Sequence, residues 1–329
     1  MAAARMPAAQ NGGADSGQAD PADRFCTLAS GIRLCFRVHG PDDGEPLLLV
    51  QGLGNQLIHW PAVMVQGLVD LGFRVVVFDN RDIGRSTRIA APPPSLLRQV
   101  FGIRDPAGYT LEHMAGDALG LLDHLGIASA HVLGMSMGGM IAQCLAAAHP
   151  QRVVTLTSVF STTGHRKVGQ PALSAMWLLA KSPPRDAETA VRQYQAIMAH
   201  VGSTRWPLSP QALRADALLA WARGGGPAAA DGQARQIGAI INSGDRTAAV
   251  RRISVPTLVV HGDQDKLVAP SGGQATAAAI VGARLVTIAG LGHSLPDGAM
   301  PELLALVDAH TQPHRTPALV SPSASREAA

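Results

Sequence analysis

The sequence predicts an α/β fold, in which a doubly wound and mostly parallel sheet is interrupted by one inserted helical segment. Short, unbroken apolar runs alternate with helical patterns, and such runs are typical of parallel strands that are buried on both faces. Several of the runs end in a glycine-rich or polar loop. The alternation breaks at Ser161, no strand pattern occurs from Thr162 to Arg252, and the alternation then resumes.

Composition limits the classes of protein to consider. The 329 residues are 47% hydrophobic, which is enough for a sizeable core. The formal net charge of +3 comes without a dense stripe of Lys and Arg, so we expect no nucleic-acid partner. No apolar run has the length of a membrane span.

The cysteines bear on compartment and cofactor. Cys26, Cys35 and Cys144 match no metal-ligand spacing, and an odd number argues against a disulfide framework. Cys26 and Cys35 could face each other across a hairpin, but we prefer buried free thiols. The first residues also lack the apolar segment of a signal peptide, so we expect a cytoplasmic protein. From the cysteine spacing we expect no metal site.

The two ends of the chain differ in composition from the middle. Met1 to Asp20 contains almost no large apolar residue, and Thr311 to Ala329 is mainly Pro, Ser, Thr and Ala. Such segments cannot bury enough apolar surface to order themselves, so we expect disordered tails. The predicted bounds are 1–22 for the first tail, 23–161 and 253–310 for the two parts of the α/β core, 162–252 for the helical insertion and 311–329 for the second tail.

The first predicted elements are a hairpin and two βα units. Apolar residues on either side of Ser30-Gly31 predict the hairpin. Thr110 is the expected cap of a further helix that stops at Gly126. The elements before Thr110 are strands Phe25–Leu28, Ile32–His39, Pro46–Val50 and Phe73–Phe78, and a helix Pro61–Leu71 with proline in its favoured first turn.

The fold is organised around a strand–turn–helix junction. The apolar run from His131 to Leu133 ends at Gly134, and a helical pattern begins at Met140. The motif Gly134-x-Ser136-x-Gly138 at such a junction is typical of a nucleophile elbow, whose strained serine needs neighbours without bulky side chains. In a chain with 35 glycines, a glycine-rich turn with a bystander serine is the alternative. The hypothesis therefore requires a histidine and a carboxylate elsewhere.

Beyond the elbow we expect one more strand, the helical insertion and the rest of the sheet. Proline pairs and a run of three glycines separate the helices of the insertion. The predicted elements are strand Val153–Val159, helices Ala172–Ala180, Ala187–Val201, Pro210–Ala222 and Ala228–Ser243, strand Pro256–Val260, helix Gly273–Ile280, strand Ala283–Ile288 and helix Glu302–His310.

The loops after two later strands supply a base and an acid. A serine hydroxyl needs a neighbouring base, and that base needs an orienting carboxylate. One loop carries Asp263 and Asp265, and the other carries His293. Both loops are expected at the carboxyl edge of the sheet, as is Ser136. The chain order is Ser136, Asp265, His293, with Asp263 as the alternative acid and the more natural cap of its turn.

On these motifs, the chain resembles the α/β-hydrolase superfamily from about residue 25 to 310. The resemblance rests on Gly134-Met135-Ser136-Met137-Gly138, on His261-Gly262 with Asp265 three residues after the glycine, and on Gly292-His293. The spacing in that family favours Asp265 over Asp263. Within the superfamily, the loop from Phe78 to Thr87 looks most like the aclacinomycin methylesterases and related bacterial hydrolases.

The resemblance also implies an oxyanion hole and a lid. The hole would use the amides of Met137 and Leu53; many relatives have His-Gly where this chain has Gln51-Gly52, and the Gln51 amide can also donate and accept hydrogen bonds. The insertion lies where the family carries its lid. Its aromatic residues Trp177, Trp206 and Trp221 are candidates for substrate binding, and packing among the lid helices is the alternative.

Other polar residues of the loops are expected to be structural. His131 and His261 occur in strand contexts typical of core or turn histidines. His59 could line the pocket, but a packed loop histidine is the simpler interpretation. Asp79 and Arg81 are expected to brace their own loop by charge-assisted hydrogen bonds.

We therefore expect a carboxylic-ester hydrolase that forms an acyl-enzyme on Ser136, acts on a small molecule with an apolar acyl or alcohol group, and needs no cofactor. The same triad would serve a perhydrolase, a carbon–carbon bond hydrolase or an acyltransferase. Epoxide hydrolases and dehalogenases are disfavoured, because their elbow carries aspartate. A ligand-binding receptor with this fold is the non-enzymatic alternative.

Overall fold

The computed structural model describes residues 22–179 and 181–315, which form an eight-stranded sheet covered by helices. The strands are β1 (Arg24–Thr27), β2 (Arg33–His39), β3 (Glu45–Val50), β4 (Phe73–Phe78), β5 (Ala130–Met135), β6 (Val153–Val159), β7 (Thr257–Gly262) and β8 (Arg284–Ile288). The helices are α1 (Ala62–Asp70), α2 (Leu96–Phe101), α3 (Leu111–His124), α4 (Met137–Ala148), α5 (Leu173–Leu179), α6 (Ala187–Val201), α7 (Pro210–Ala222), α8 (Ala229–Ser243), α9 (Thr247–Val250), α10 (Ser271–Ala279) and α11 (Met300–Thr311).

The order of the strands creates a ligand-binding edge. The sheet runs β1-β2-β4-β3-β5-β6-β7-β8, with antiparallel pairing only between β1 and β2 and between β2 and β4. After β3 the chain forms β4 on one side of β3, and it then crosses over to form β5 on the other side of β3. A crevice forms at the carboxyl end of such a reversal, where doubly wound sheets bind ligands. Both Gln51, after β3, and Ser136, after β5, lie there.

The core has two layers, one on each face of the sheet, as a doubly wound fold requires. In β3, Leu48 and Val50 pack into the layer that contains α3 and α4. Leu47 and Leu49 pack into the layer that contains α1 and α11. This two-sided burial is the physical reason why the central strands are continuous apolar runs instead of alternating ones.

Two helices were not predicted from the sequence. Helix α2 has only six residues. The Ser95 hydroxyl caps it by accepting from the Arg98 amide, and Gly102 ends it in a left-handed conformation. Helix α9 has four residues. Elements this short have too few turns to show a hydrophobic period.

The start of the predicted C-terminal tail is wrong. Residues 311–315 are ordered: α11 includes Thr311, whose hydroxyl donates to the Val307 carbonyl, and a 3-10 turn follows. Arg315 donates to the Leu71 carbonyl at 2.9 Å, and its guanidinium lies 4.2 Å from the centre of the Phe73 ring. Buried side-chain contacts therefore order a segment whose composition is polar. Of the two predicted tails, residues 1–21 and 316–329 lie outside the described residues.

The insertion between β6 and β7 contains four helices, α5 to α8, followed by the short α9. Asp186 caps α6 by accepting from the Thr189 amide at 2.7 Å, and Ser209 caps α7 by accepting from the Ala212 amide at 3.1 Å. These side-chain caps mark the starts of the two helices in the sequence. Among residues 22–179 and 181–315, every helix is too short or too polar to span a lipid bilayer.

Candidate active site

Ser136 occupies a strained turn between β5 and α4. Its backbone has φ 56° and ψ −122°, a left-handed conformation that a non-glycine residue adopts only when its surroundings impose it. The surroundings are tight: a Cβ atom on Gly134 would come within 2.7 Å of the Gly139 nitrogen, and one on Gly138 within 2.6 Å of the Gln51 carbonyl oxygen. Glycine at these positions lets strand, turn and helix approach closely enough to present the serine at the sheet edge.

The structure brings Ser136, His293 and Asp265 into one hydrogen-bonded chain. His293 Nε2 lies 3.0 Å from Ser136 Oγ, and His293 Nδ1 lies 2.7 Å from Asp265 Oδ2. The other oxygen of Asp265 accepts from the amides of Leu267 at 2.8 Å and Val268 at 2.9 Å. With Nδ1–H donating to the carboxylate, Nε2 is free to accept the serine proton, which is the arrangement that general-base catalysis requires.

Asp263, the alternative acid, lies elsewhere. Its exposed carboxylate accepts from the Gly290 amide at 2.7 Å and so ties the loop after β7 to the loop after β8. Asp265 is 4% exposed and His293 8% exposed. The geometry therefore pairs His293 with Asp265, and Asp263 has a bracing role between two loops.

The loop after β3 lies against the serine, as the predicted oxyanion hole requires. A Cβ atom on Gly52 would be 3.2 Å from Ser136 Cβ. The buried Gln51 side chain accepts from the Gly52 amide at 3.1 Å, so it braces the loop from within. The Met137 amide is the first of α4 and has no intrahelical acceptor. The assignment of the Leu53 and Met137 amides to an oxyanion hole stays a prediction.

Comparison with known proteins decides the family. Residues 45–297 match the family model described as the alpha/beta hydrolase fold. The chain belongs to the α/β-hydrolase family.

Individual relatives agree with this placement. Rhodomycin D methylesterase DnrP from Streptomyces peucetius is 29% identical over 293 residues, covering 83% of this chain and 93% of that protein. The enol-lactonase from Burkholderia xenovorans LB400 is 25% identical, with a TM-score of 0.64 over 88% of this chain and 98% of its own. The meta-cleavage product hydrolase CumD from Pseudomonas fluorescens IP01 has a TM-score of 0.69 over 89% of this chain and 98% of its own, but at 18% identity it shows the fold alone.

In this α/β hydrolase, the inserted segment holds the loop of His293. The His293 amide donates to the Val201 carbonyl at 2.6 Å, and the Gly292 amide donates to the Ser203 hydroxyl at 3.1 Å. Ser203 Oγ also lies 3.0 Å from Ser294 Oγ. Sequence reasoning missed Ser203, because a single serine at the end of a helix carries no signal of a partner 89 residues away.

The loop after β4 is braced by buried ion pairs, as expected for Asp79 and Arg81. Asp79 accepts from the Leu57 amide and from Arg223 of the inserted segment, both at 2.7 Å. Burial raises the pKa of Asp79 above its usual value, and the Arg223 guanidinium opposes that shift. Arg81 forms a two-pronged pair with Asp117 at 2.5 and 2.6 Å. Within the described part of the chain, neither Asp79 nor Arg81 forms a hydrogen bond with the Ser136 hydroxyl.

Three further histidines have structural partners. His131 Nδ1 lies 2.8 Å from Thr155 Oγ1, and burial lowers the pKa of His131 to about 4. His261 Nε2 lies 2.8 Å from the Val268 carbonyl, and burial lowers its pKa as well. His59 Nδ1 accepts from the Gln56 amide at 2.8 Å. These contacts are those of core and loop histidines.

The three tryptophans of the insertion lie in different environments. Trp177 on α5 is 79% exposed. Trp206 is half-buried against the core layer of α1 and α11, with the Arg205 guanidinium 4.5 Å from its ring centre. Trp221 is half-buried near the end of α7. A substrate-binding role for any of them stays a prediction.

Proposed function

We propose that this chain is a serine hydrolase that cleaves a carboxylic ester through an acyl-enzyme on Ser136. The observation that carries the proposal is the chain of contacts from Ser136 Oγ to His293 Nε2 at 3.0 Å and from His293 Nδ1 to Asp265 Oδ2 at 2.7 Å. No other arrangement of the predicted residues joins a nucleophile, a base and an orienting carboxylate in this order.

Each residue has a defined role in the proposed reaction. Ser136 Oγ attacks the ester carbonyl while His293 Nε2 takes its proton, and Asp265 stabilises the imidazolium that results. The amides of Leu53 and Met137 donate to the oxyanion of the tetrahedral intermediate. His293 then gives its proton to the leaving alcohol. A water molecule activated by His293 releases the acid and restores the Ser136 hydroxyl.

Two relatives support an ester as the substrate. One is named as a methylesterase, and its match covers 83% of this chain and 93% of that protein. The other is an enol-lactonase, and a lactone is a cyclic carboxylic ester. We propose a small-molecule ester with an apolar acyl or alcohol group, hydrolysed in the cytoplasm without a cofactor. The buried free thiols Cys26, Cys35 and Cys144 suit a reducing compartment.

The test combines labelling with turnover. A fluorophosphonate probe is expected to label Ser136 and no other serine, and Ser136→Ala is expected to lower kcat by about 10⁴- to 10⁶-fold. A chromogenic ester should give a burst of alcohol that matches the enzyme concentration. A panel of methyl esters that includes rhodomycin D, together with perhydrolysis and acyl-transfer assays, then separates ester hydrolysis from the alternatives. Labelling that survives Ser136→Ala would contradict the assignment.

A further inference from the structure

Gln236, on helix α8 of the inserted segment, links two loops of the sheet edge. Its side chain is fully buried. The carbonyl oxygen of the side chain accepts from the Gly54 amide at 2.9 Å, and its NH₂ group donates to the Arg81 carbonyl at 2.8 Å. Gly54 belongs to the loop after β3 and Arg81 to the loop after β4. One side chain of the insertion thus satisfies a backbone donor and a backbone acceptor of the core.

The bond to Gly54 bears on the direction of the Leu53 amide. Peptide groups are planar, so a hydrogen bond that holds one N–H restrains the orientation of its whole plane. Gln51 holds the Gly52 N–H, and Gln236 holds the Gly54 N–H. The plane that carries the Leu53 N–H lies between these two restrained planes. Gln236 therefore limits the rotation of the amide that is assigned to the oxyanion.

A second contact ties the insertion to the same loop. The Gln56 side chain donates to the Ala220 carbonyl at 2.7 Å and accepts from Arg223 Nη1 at 3.0 Å. The loop after β3 is thus held from the insertion at two points, near Gly54 and at Gln56. The inserted segment thus helps to shape the loop that lies against Ser136.

We infer that Gln236 is a positioning residue for the oxyanion hole, so that transition-state stabilisation depends on the seating of α8. This inference rests on the proposed serine-hydrolase function and adds the lid residue on which the Leu53 amide depends. Loss of Gln236 leaves the Gly54 N–H and the Arg81 carbonyl without their partner, and the loop relaxes to satisfy them elsewhere. The developing oxyanion then loses a well-aligned donor, whereas ground-state binding changes little.

The experiment compares Gln236→Met with Gln233→Met. Methionine keeps the length of the side chain but removes both hydrogen bonds. Gln233 is the control: it lies about one turn earlier on α8, its side chain also lies beside Gly54, and that side chain is exposed and makes no hydrogen bond among the described residues. The assays measure kcat and KM for an acetate ester and the inhibition constant of a trifluoromethyl ketone. Ser136 adds to that ketone, the serine proton passes to His293, and the ketone oxygen becomes an oxyanion.

For Gln236→Met we expect kcat to fall by about 10- to 100-fold, KM to stay within about threefold, and the inhibition constant of the ketone to rise by a factor similar to the fall in kcat. Gln233→Met should change each value by less than about threefold. Gln236→Glu keeps the acceptor for Gly54 and, with its buried carboxyl protonated, a donor for the Arg81 carbonyl, so it should retain more activity than Gln236→Met. It also provides the test if Gln236→Met does not fold.

Three outcomes would overturn the inference: an unchanged kcat, a change confined to KM, or a lower kcat with unchanged binding of the ketone. The last two would indicate a lid that only packs. Failure of the proposed function looks different, because it appears in the unaltered protein as absent ester turnover or as turnover that persists in Ser136→Ala.

Discussion

The turn at Ser136 and the inserted helical segment are fixed by different kinds of contact. The turn is fixed by backbone close to backbone, at positions where a Cβ atom on Gly134 or Gly138 would collide. The insertion is fixed by long polar side chains, among them Arg223 to Asp79 and Gln236 to Gly54. A turn that is held by contacts between backbone atoms tolerates no added side chain, whereas the side-chain contacts of the insertion can be lost one at a time. Changes near the turn should therefore abolish activity, and changes in the insertion should modulate it.

After loss of the serine or of His293, the largest effect should come from the acid. Asp265→Asn is expected to lower kcat by up to about 10⁴-fold, because an asparagine favours the wrong imidazole tautomer. Asp263→Asn, two residues away, should cost less than about tenfold, since its carboxylate accepts from the Gly290 amide and not from His293. Steady-state kinetics on one ester, with a thermal melt of each variant, make the comparison. If Asp263→Asn were the more damaging change in a folded protein, the acid would be misassigned.

The same contrast explains which features the sequence could predict. Strand Val153–Val159 and helices Ala187–Val201 and Pro210–Ala222 have the predicted bounds, because continuous apolar runs and proline punctuation are local signals. The candidate triad of Ser136, Asp265 and His293 was likewise predicted from a local signal, because each residue lies in a loop that follows a predicted strand.

Contacts between residues that are distant in the chain could not be predicted from the sequence. Gln236 and Gly54 are 182 residues apart, and Ser203 and Gly292 are 89 apart. Each depends on where a helix of the insertion settles on the core, which no period or motif encodes. The amide and hydroxyl side chains in these contacts look in sequence like ordinary surface positions. Polar residues that anchor the inserted segment to the core are therefore visible only once the helices are placed.

Within the insertion, a moderate and selective effect is expected from the tryptophans. If at least one of Trp177, Trp206 and Trp221 contacts substrate, its replacement by alanine should lower kcat/KM for an octanoate ester by about 10- to 100-fold, which corresponds to a lost apolar contact of about 1 to 3 kcal/mol. Acetate esters should be spared, because a short acyl chain does not reach the lid.

The three alanine variants differ in what they test. Trp206 packs against the core layer of α1 and α11, so its loss should also lower the melting temperature. Replacement of the exposed Trp177 by alanine should leave the melting temperature nearly unchanged. Equal losses on acetate and octanoate in all three variants would indicate purely structural tryptophans and would remove the support for an apolar substrate.

The smallest expected effect concerns stability at acid pH and the strand that carries the elbow. Burial lowers the pKa of His131, in β5, from 6.5 to about 4. The unfolded chain therefore binds a proton that the folded chain does not bind between these values, so His131 lowers the free energy of unfolding as the pH falls from 6.5 toward 4. Neutral at pH 7, His131 forms no ion pair with the Glu45 carboxylate, although its Nε2 lies 3.7 Å away.

His131→Gln should keep a polar partner near Thr155 but remove the titration. Urea unfolding at several pH values between 4.5 and 7 should then show a shallower fall in the free energy of unfolding toward acid pH than in the unaltered protein. Other buried histidines, such as His261, leave part of the slope in place. An unchanged slope in His131→Gln would mean that the elbow strand admits the charged imidazolium, and that the packing around it is less rigid than the contacts of Gly134 and Gly138 imply.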